Sequence, residues 1–182
     1  MIQSREDASR EAAIRVGQAM VAAAITAPKG CGVDDVCAYL ITGEDKDVLA
    51  GHMRDIAKET GEEFYARDAG NVDNSHCVVI IGARNAPIQL TNCSLCGFKD
   101  CAEMAAAGAN CAFNITDLGI AVGSAVSIAA DNRMDNRVLF SAGKGALRMN
   151  FLEEGVTVCY GIPLSVTSKS ICFDRDPGAV LF

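Results

Sequence analysis

The sequence contains no tryptophan, and aromatic residues fill 5% of its 182 positions. A core must therefore be assembled from Ala, Val, Ile, Leu and Met, small and aliphatic side chains that suit closely packed helices. Histidine is scarce, with His52 and His76 the whole supply. No motif brings a nucleophile, a base and an orienting acid within reach of one another, so a hydrolytic triad is not expected. His52 falls on a predicted helix, where exposure is the plain reading, and His76 precedes a predicted strand. A surplus of basic charge is missing too. The net charge of −7 favours solubility and disfavours a nucleic-acid partner, because phosphate binding needs a basic face. Long apolar runs are missing: the stretch 19–27 is too short to span a bilayer, and the charged N-terminus is unlike a secretory signal. A cytoplasmic protein without membrane contact is expected. Low-complexity tracts and interdomain linkers are lacking, so residues 1–182 read as one domain. Gly143-Lys-Gly-Ala lacks the P-loop frame, and no G-x-G-x-x-G follows a strand, which removes P-loop and Rossmann readings.

Cysteine, in contrast, is abundant. There are nine, four of them within nineteen residues: Cys93, Cys96, Cys101 and Cys111, spaced C-x2-C-x4-C-x9-C. In a reducing compartment nine thiols point to metal ligation rather than disulfides, and the odd count agrees. Iron–sulfur clusters usually take four thiolates. A C-x2-C loop lets two sulfurs reach one cluster, and Gly97 can take the positive φ that the turn demands. Residues 99–107 look helical, with Cys101 in the first turn, where the helix dipole favours negative charge. The run Ala-Ala-Ala-Gly-Ala-Asn before Cys111 lets the chain fold back tightly. Zinc competes, but four-cysteine zinc sites usually offer two C-x2-C knuckles, and this chain has one. The plant-type ferredoxin order is reversed here, so a 4Fe–4S cluster is the expected occupant.

Around this module, helices and strands alternate, which gives an α/β or α+β class. Ser4 and Asp7 form a capping box for a first helix that ends before Pro28 and Gly30. Residues 36–42 read as a strand. Thr42 with Asp45 is expected to cap a second helix with the apolar face Val48, Leu49, Met53 and Ile56, closed by Gly61. Residues 64–75 read as a polar loop. The run 77–81 is apolar throughout, as a strand covered on both faces would be. The cysteine module, residues 91–113, is an insertion between this strand and a long helix. Asn114 or Thr116 is expected to cap that helix, which runs to about residue 130 with a stripe of Leu118, Ala121, Ala125, Ile128 and Ala129. Gly119, Gly123 and Ser124 would allow close approach of a neighbour. Residues 137–140 and 156–160 read as strands with a short helix between them, and no element is clear after Pro163.

Three resemblances rest on these residues. Cys93-Ser-Leu-Cys-Gly-Phe-Lys-Asp-Cys resembles the opening of the small 4Fe–4S domain of the corrinoid iron–sulfur protein and of an Rnf complex subunit, whose fourth cysteine lies further on. Thr26-Ala-Pro-Lys-Gly-Cys-Gly, Arg67-Asp-Ala-Gly-Asn, Asp117-Leu-Gly-Ile-Ala-Val-Gly-Ser-Ala, Asp135-Asn-Arg, Pro163-Leu-Ser-Val-Thr-Ser-Lys and Phe173-Asp-Arg are similar to ferredoxin-domain-containing proteins of unknown function. That family is found mainly in anaerobic bacteria and archaea. The order of elements, with Ala22-Ala-Ala-Ile-Thr-Ala-Pro and Asp117-Leu-Gly-Ile-Ala, resembles the nitroreductase fold. It implies an α+β, three-layer sheet with packed helices and an inserted cysteine-rich loop. It also implies a homodimer with FMN in a pocket at the interface, although the arginine-serine-arginine flavin signature is not clearly present; Ser4-Arg5 and Arg10 are its nearest counterparts.

The expected activity is electron transfer with a redox partner protein, the cluster held by Cys93, Cys96, Cys101 and Cys111. A flavin-dependent oxidoreductase and a zinc- or cluster-stabilised structural or sensor module are the alternatives. Elsewhere, Lys29 could activate Cys31, though an ordinary turn residue explains it as well. Cys37, Cys77 and Cys159 read as small hydrophobes in strands. Cys172 sits in the tail, outside any predicted element. Arg67, Arg133 or Arg137 could clamp a phosphate, with ion pairing the plain alternative. The apolar end, residues 179–182, is expected to dock on its own subunit or across a two-fold.

Overall fold

The computed structural model describes residues 2–173; the apolar end at 179–182 lies outside the described residues. Helix α1, Arg5–Thr26, starts where the Ser4 hydroxyl accepts the Asp7 N–H and donates to the Asp7 carboxylate, so Ser4 is the cap expected. Strand β1, Val36–Ile41, is followed by α2, Glu44–Thr60. The N-cap of α2 is Gly43 at φ 57°, without a side-chain cap, in place of the expected Thr42. Leu49, Met53 and Ile56 are buried on α2, while Val48 is 49% exposed. Gly61 closes the helix at φ 76°, a left-handed cap that glycine adopts without a Cβ penalty.

Residues read as a polar loop form α3, Phe64–Asp73. Its Tyr65, Ala69 and Val72 are buried at helical spacing, together with Asp68 and Asn71. The buried polar groups are paired: Ser141 donates to Asp68 Oδ2 at 2.6 Å, and Arg67 Nε donates to Asp68 Oδ1 at 3.0 Å. Polar composition hid the periodicity, and tertiary partners make it tolerable.

Strand β2, Cys77–Arg84, is buried on both faces. Helices α4, Cys101–Ala106, and α5, Ala112–Asp131, follow. The N-cap of α5 is Cys111; Asn114 and Thr116 lie inside the helix. Strand β3, Asp135–Asn136, is two residues long. Beyond it Leu139 makes a single bridge to Gly161, which replaces the strand expected at 137–140. Helix α6, Phe140–Ala146, leads to β4, Val156–Ser165, so the last strand runs past Pro163.

The sheet order is β1-β2-β4-β3, with every pairing antiparallel. β2 is central, which explains its unbroken apolar run without a parallel sheet. One face packs on α1 and α5 through Met20, Val79, Ile81, Leu118 and Ile162. The other packs on α2, α3 and α6 through Leu49, Met53, Val78, Ile80 and Ala142. The result is a three-layer α+β fold. Gly119 and Gly123 have open space where a Cβ would stand, whereas the Ser124 hydroxyl donates to Ala23 O at 2.9 Å; Ser124, not the glycines, marks the approach of α1. Among the described residues α5 alone is long and apolar enough to cross a bilayer. Its Leu118, Ala121, Ala125 and Ala129 are buried in the core.

The turn after α1 is held from two sides. Lys29, 6% exposed, donates to the carbonyls of Ala24 at 3.2 Å and Ala27 at 2.9 Å, and to that of Ile25. It satisfies the carbonyls that a helix end leaves open. Replacing Lys29 by Met is expected to cost about 2 kcal/mol, read as a lowered urea midpoint with an unchanged denaturant slope.

Candidate metal centre

The segment between β2 and α5 leaves the body of the fold and returns to it at one place. Asn85 clamps both ends: its Nδ2 donates to Ala109 O at 3.0 Å, and its Oδ1 accepts the Cys111 N–H at 2.9 Å. Ala86 N–H donates to Asn114 Oδ1 at 3.0 Å, and Thr157 Oγ1 donates to Asn110 Oδ1 at 2.7 Å. Three asparagines thus close the base of the insertion. The sequence reading missed this role, and the polar residues placed at the two boundaries are the signal that carries it.

Within the loop, Ser94 at φ 45°, just after Cys93, and Gly97 at φ 85°, just after Cys96, turn the chain. The Gly97 N–H donates to Ser94 O at 3.0 Å. A reciprocal cap fixes the next turn: Asp100 accepts the Glu103 N–H at 2.9 Å, and Glu103 accepts the Lys99 N–H at 2.7 Å. Cys101 is the first residue of α4. That helix is under two turns long, so its dipole is a small contribution.

All four clustered cysteines line one small recess, with about 20 Å³ of free space, together with Met104 and Phe113. Cys93, Cys96 and Cys101 are half-buried, Cys111 is buried, and none is in a disulfide. Among the described residues no three His, Cys, Asp or Glu side chains converge closely enough to hold a single metal ion. Four thiols on one recess are the soft donor set that iron–sulfur clusters and structural zinc sites both use. Leu90 and Leu95 beside the recess are 43% and 57% exposed. A second recess, of about 930 Å³ including open space, shares Leu90, Asp100 and Cys101 with the first.

The remaining cysteines stand apart. Cys37, Cys77 and Cys159 are buried in strands. Burial pushes the Cys77 thiol up from 9.0 to about 12 and raises Cys37 and Cys159 as well. At pH 8 an alkylating reagent is expected to label exposed Cys31 and to spare these three, as peptide mass mapping will show. The fold holds these thiols neutral, so their contribution to stability is full below pH 9 and is lost as pH climbs from 9 towards 12.

Cys31 sits at φ 55° in a 3-10 turn, Gly30–Gly32. The Gly30 N–H donates to both carboxylate oxygens of Asp117, at 2.9 and 3.0 Å. A Cβ on Gly30 would stand 3.1 Å from the Phe113 ring and 3.3 Å from Ile88 Cδ1, so this turn packs tightly against the side chains around it. Arg67 is ion-paired with Asp68, and Arg137 lies 4.8 Å over the Phe173 ring; both have protein partners. His52 is half-buried, against the expected exposure.

This architecture is nitroreductase-like. A nitroreductase family protein from Clostridium novyi matches with a TM-score of 0.53 and 13% identity, covering 91% of this chain and 76% of that one. A BluB-like flavoprotein from Clostridium difficile matches at 0.53 and 16%, covering 93% and 86%. Nitroreductase A from Vibrio parahaemolyticus matches at 0.53 and 12%, covering 86% of this chain but 59% of that longer one. An uncharacterized protein from Archaeoglobus fulgidus is 35% identical over 185 residues, covering 97% of this chain and 99% of its own length. The family described as uncharacterized proteins containing a ferredoxin domain (DUF2148) matches residues 107–175, a span that includes Cys111 and begins after Cys93, Cys96 and Cys101. The chain belongs to this family.

Proposed function

We propose that this chain is an iron–sulfur protein that carries single electrons, with a 4Fe–4S cluster held by Cys93, Cys96, Cys101 and Cys111. The observation that carries the reading is the common recess: thiols spread over nineteen residues of sequence face one space. A bound cluster supplies one-electron redox chemistry at a potential tuned by burial and by hydrogen bonds to sulfur. The protein's own part is placement. The Asn85 clamp fixes the Cys111 backbone to the body, the Ser94–Gly97 turn sets Cys93 and Cys96, and the cap on α4 sets Cys101. The half-exposed cysteines and open mouth leave an approach for a redox partner protein. On this reading residues 91–113 are the redox module of a one-domain, cytoplasmic chain that pairs as a homodimer. Membership in a ferredoxin-domain family supports the cluster.

A flavin-dependent oxidoreductase is the second reading, favoured by the fold itself and by the flavoprotein among the neighbours. One preparation separates the two. Anaerobically purified protein is assayed for iron, acid-labile sulfide, zinc and flavin, with its visible spectrum. Iron and sulfide in equal amounts, bleached reversibly by reductant, are the expected result. Zinc without sulfide makes the module structural, and bound flavin without iron makes the chain a flavoprotein.

A further inference from the structure

At the other end of the sheet, three neighbouring strands place poorly satisfied polar groups side by side. Asp135 on β3 pairs with Ser165 on β4, and Cys77 on β2 pairs with Leu164. His76, one position before Cys77, therefore stands on the far side of Ser165 from Asp135. Alternation along a strand assigns the face. Cys77, Leu164 and Met134 pack towards α1 and α5, so His76, Ser165 and Asp135 turn to the opposite side.

His76 Nε2 and Asp135 Oδ2 are both buried without a hydrogen-bond partner. Ser165 is 1% exposed, and its hydroxyl lies 3.4 Å from Thr167 Oγ1, long for an O–H···O bond. A buried carboxylate oxygen and a buried imidazole nitrogen are costly to leave unpaired. Alternate strands of one sheet are roughly 10 Å apart, and the register sets only the small Ser165 side chain between His76 and Asp135 on this face.

We propose that His76, Asp135 and the Ser165 hydroxyl hold a divalent cation of the manganese or zinc class. Imidazole and carboxylate are ligands common to both ions. The site has a structural use. β3 pairs with β4 over two residues, and a cation joining His76 to Asp135 fastens this edge to the central strand across β4. The Asp135-Asn-Arg sequence, otherwise without a task, supplies the ligand. Nothing in this inference depends on what the cysteines hold.

Manganese(II) is the probe, because carboxylate and imidazole suit it and thiolates do not compete for it. It is added alone to the anaerobically purified full chain. Its free-ion EPR signal reports the bound amount, and imidazole NMR resonances report the place, with two histidines to assign. One ion per chain is expected, broadening His76 and sparing His52. Asp135→Asn and His76→Gln are each expected to weaken binding by about tenfold or more. Melting curves guard against misfolding. Asp135→Asn, a change that keeps the size and shape of the side chain, keeps a folded, cooperative melting curve without metal, and added manganese raises the melting temperature of the wild type alone. Absence of saturable binding, wild-type affinity in either variant, or equal broadening of the two histidines overturns the proposal and assigns the two buried atoms to water.

Discussion

Cys96→Ala protein is expected to fold and to emerge from anaerobic purification with its iron lowered by about tenfold or more and its visible absorbance lost. About tenfold is the penalty for disturbing groups that merely orient a ligand, so loss of a ligand itself should reach at least that. Cys96 lines the recess and lies in a loop whose base is closed by Asn85 independently of any sulfur. The three-layer body therefore has no reason to unfold. Cys159→Ala is the matched control. Cys159 is buried on β4 against the α2, α3 and α6 layer, away from the recess. It should keep full iron and lose about 1 kcal/mol or so for a small truncation in a packed core. Equal iron in the two variants would end the assignment of the quartet; unfolding of Cys96→Ala would show that the body needs its cluster.

Gly143→Ala is expected to be the most damaging alanine substitution among the described glycines. A Cβ there would stand 1.7 Å from the Cys159 carbonyl oxygen, 2.3 Å from its carbon and 2.9 Å from Tyr160 Cα. All three are main-chain atoms of β4, so no rotamer change relieves the clash, and α6 must lift off the sheet. Gly161 opposite it is crowded in the same way, with Ala142 Cβ at 2.5 Å. A cost of about 3 kcal/mol or more is expected, a large share of a typical domain's stability. The same substitution at Gly119 should have the opposite sign. Nothing stands within 4 Å of its Cβ position, and alanine in a helix gains about 1 kcal/mol over glycine. Urea titrations of the two variants read the contrast directly.

What can be read from the sequence divides along the range of the interactions involved. The capping of α1 by Ser4, the closing glycine at 61 and the apolar run of β2 depend on near neighbours, and local pattern reveals them. The quartet of cysteines is legible as a candidate because its members lie close together in the chain; their common recess is what the structure adds. Helix α3 is illegible because Asp68 and Asn71 look like loop residues until Ser141, far along the chain, is seen to donate to Asp68. Gly143-Lys-Gly-Ala can be excluded as a phosphate loop, but only the packing of α6 on β4 reveals its purpose. The cap of α5 is hidden for the same reason. Asn114 looks like a local cap, yet its amide oxygen serves Ala86 on the opposite strand of the insertion.

The closed neck made by Asn85, Asn110 and Asn114 makes the cysteine hairpin a detachable part. Since the chain exits and re-enters at adjacent points, evolution could trade this appendage for another, or delete it, without redesigning the scaffold beneath. An engineer could do likewise: a few glycines joining residue 85 to residue 111 would leave a bare scaffold, and the excised piece could be grafted onto any pair of neighbouring chain ends.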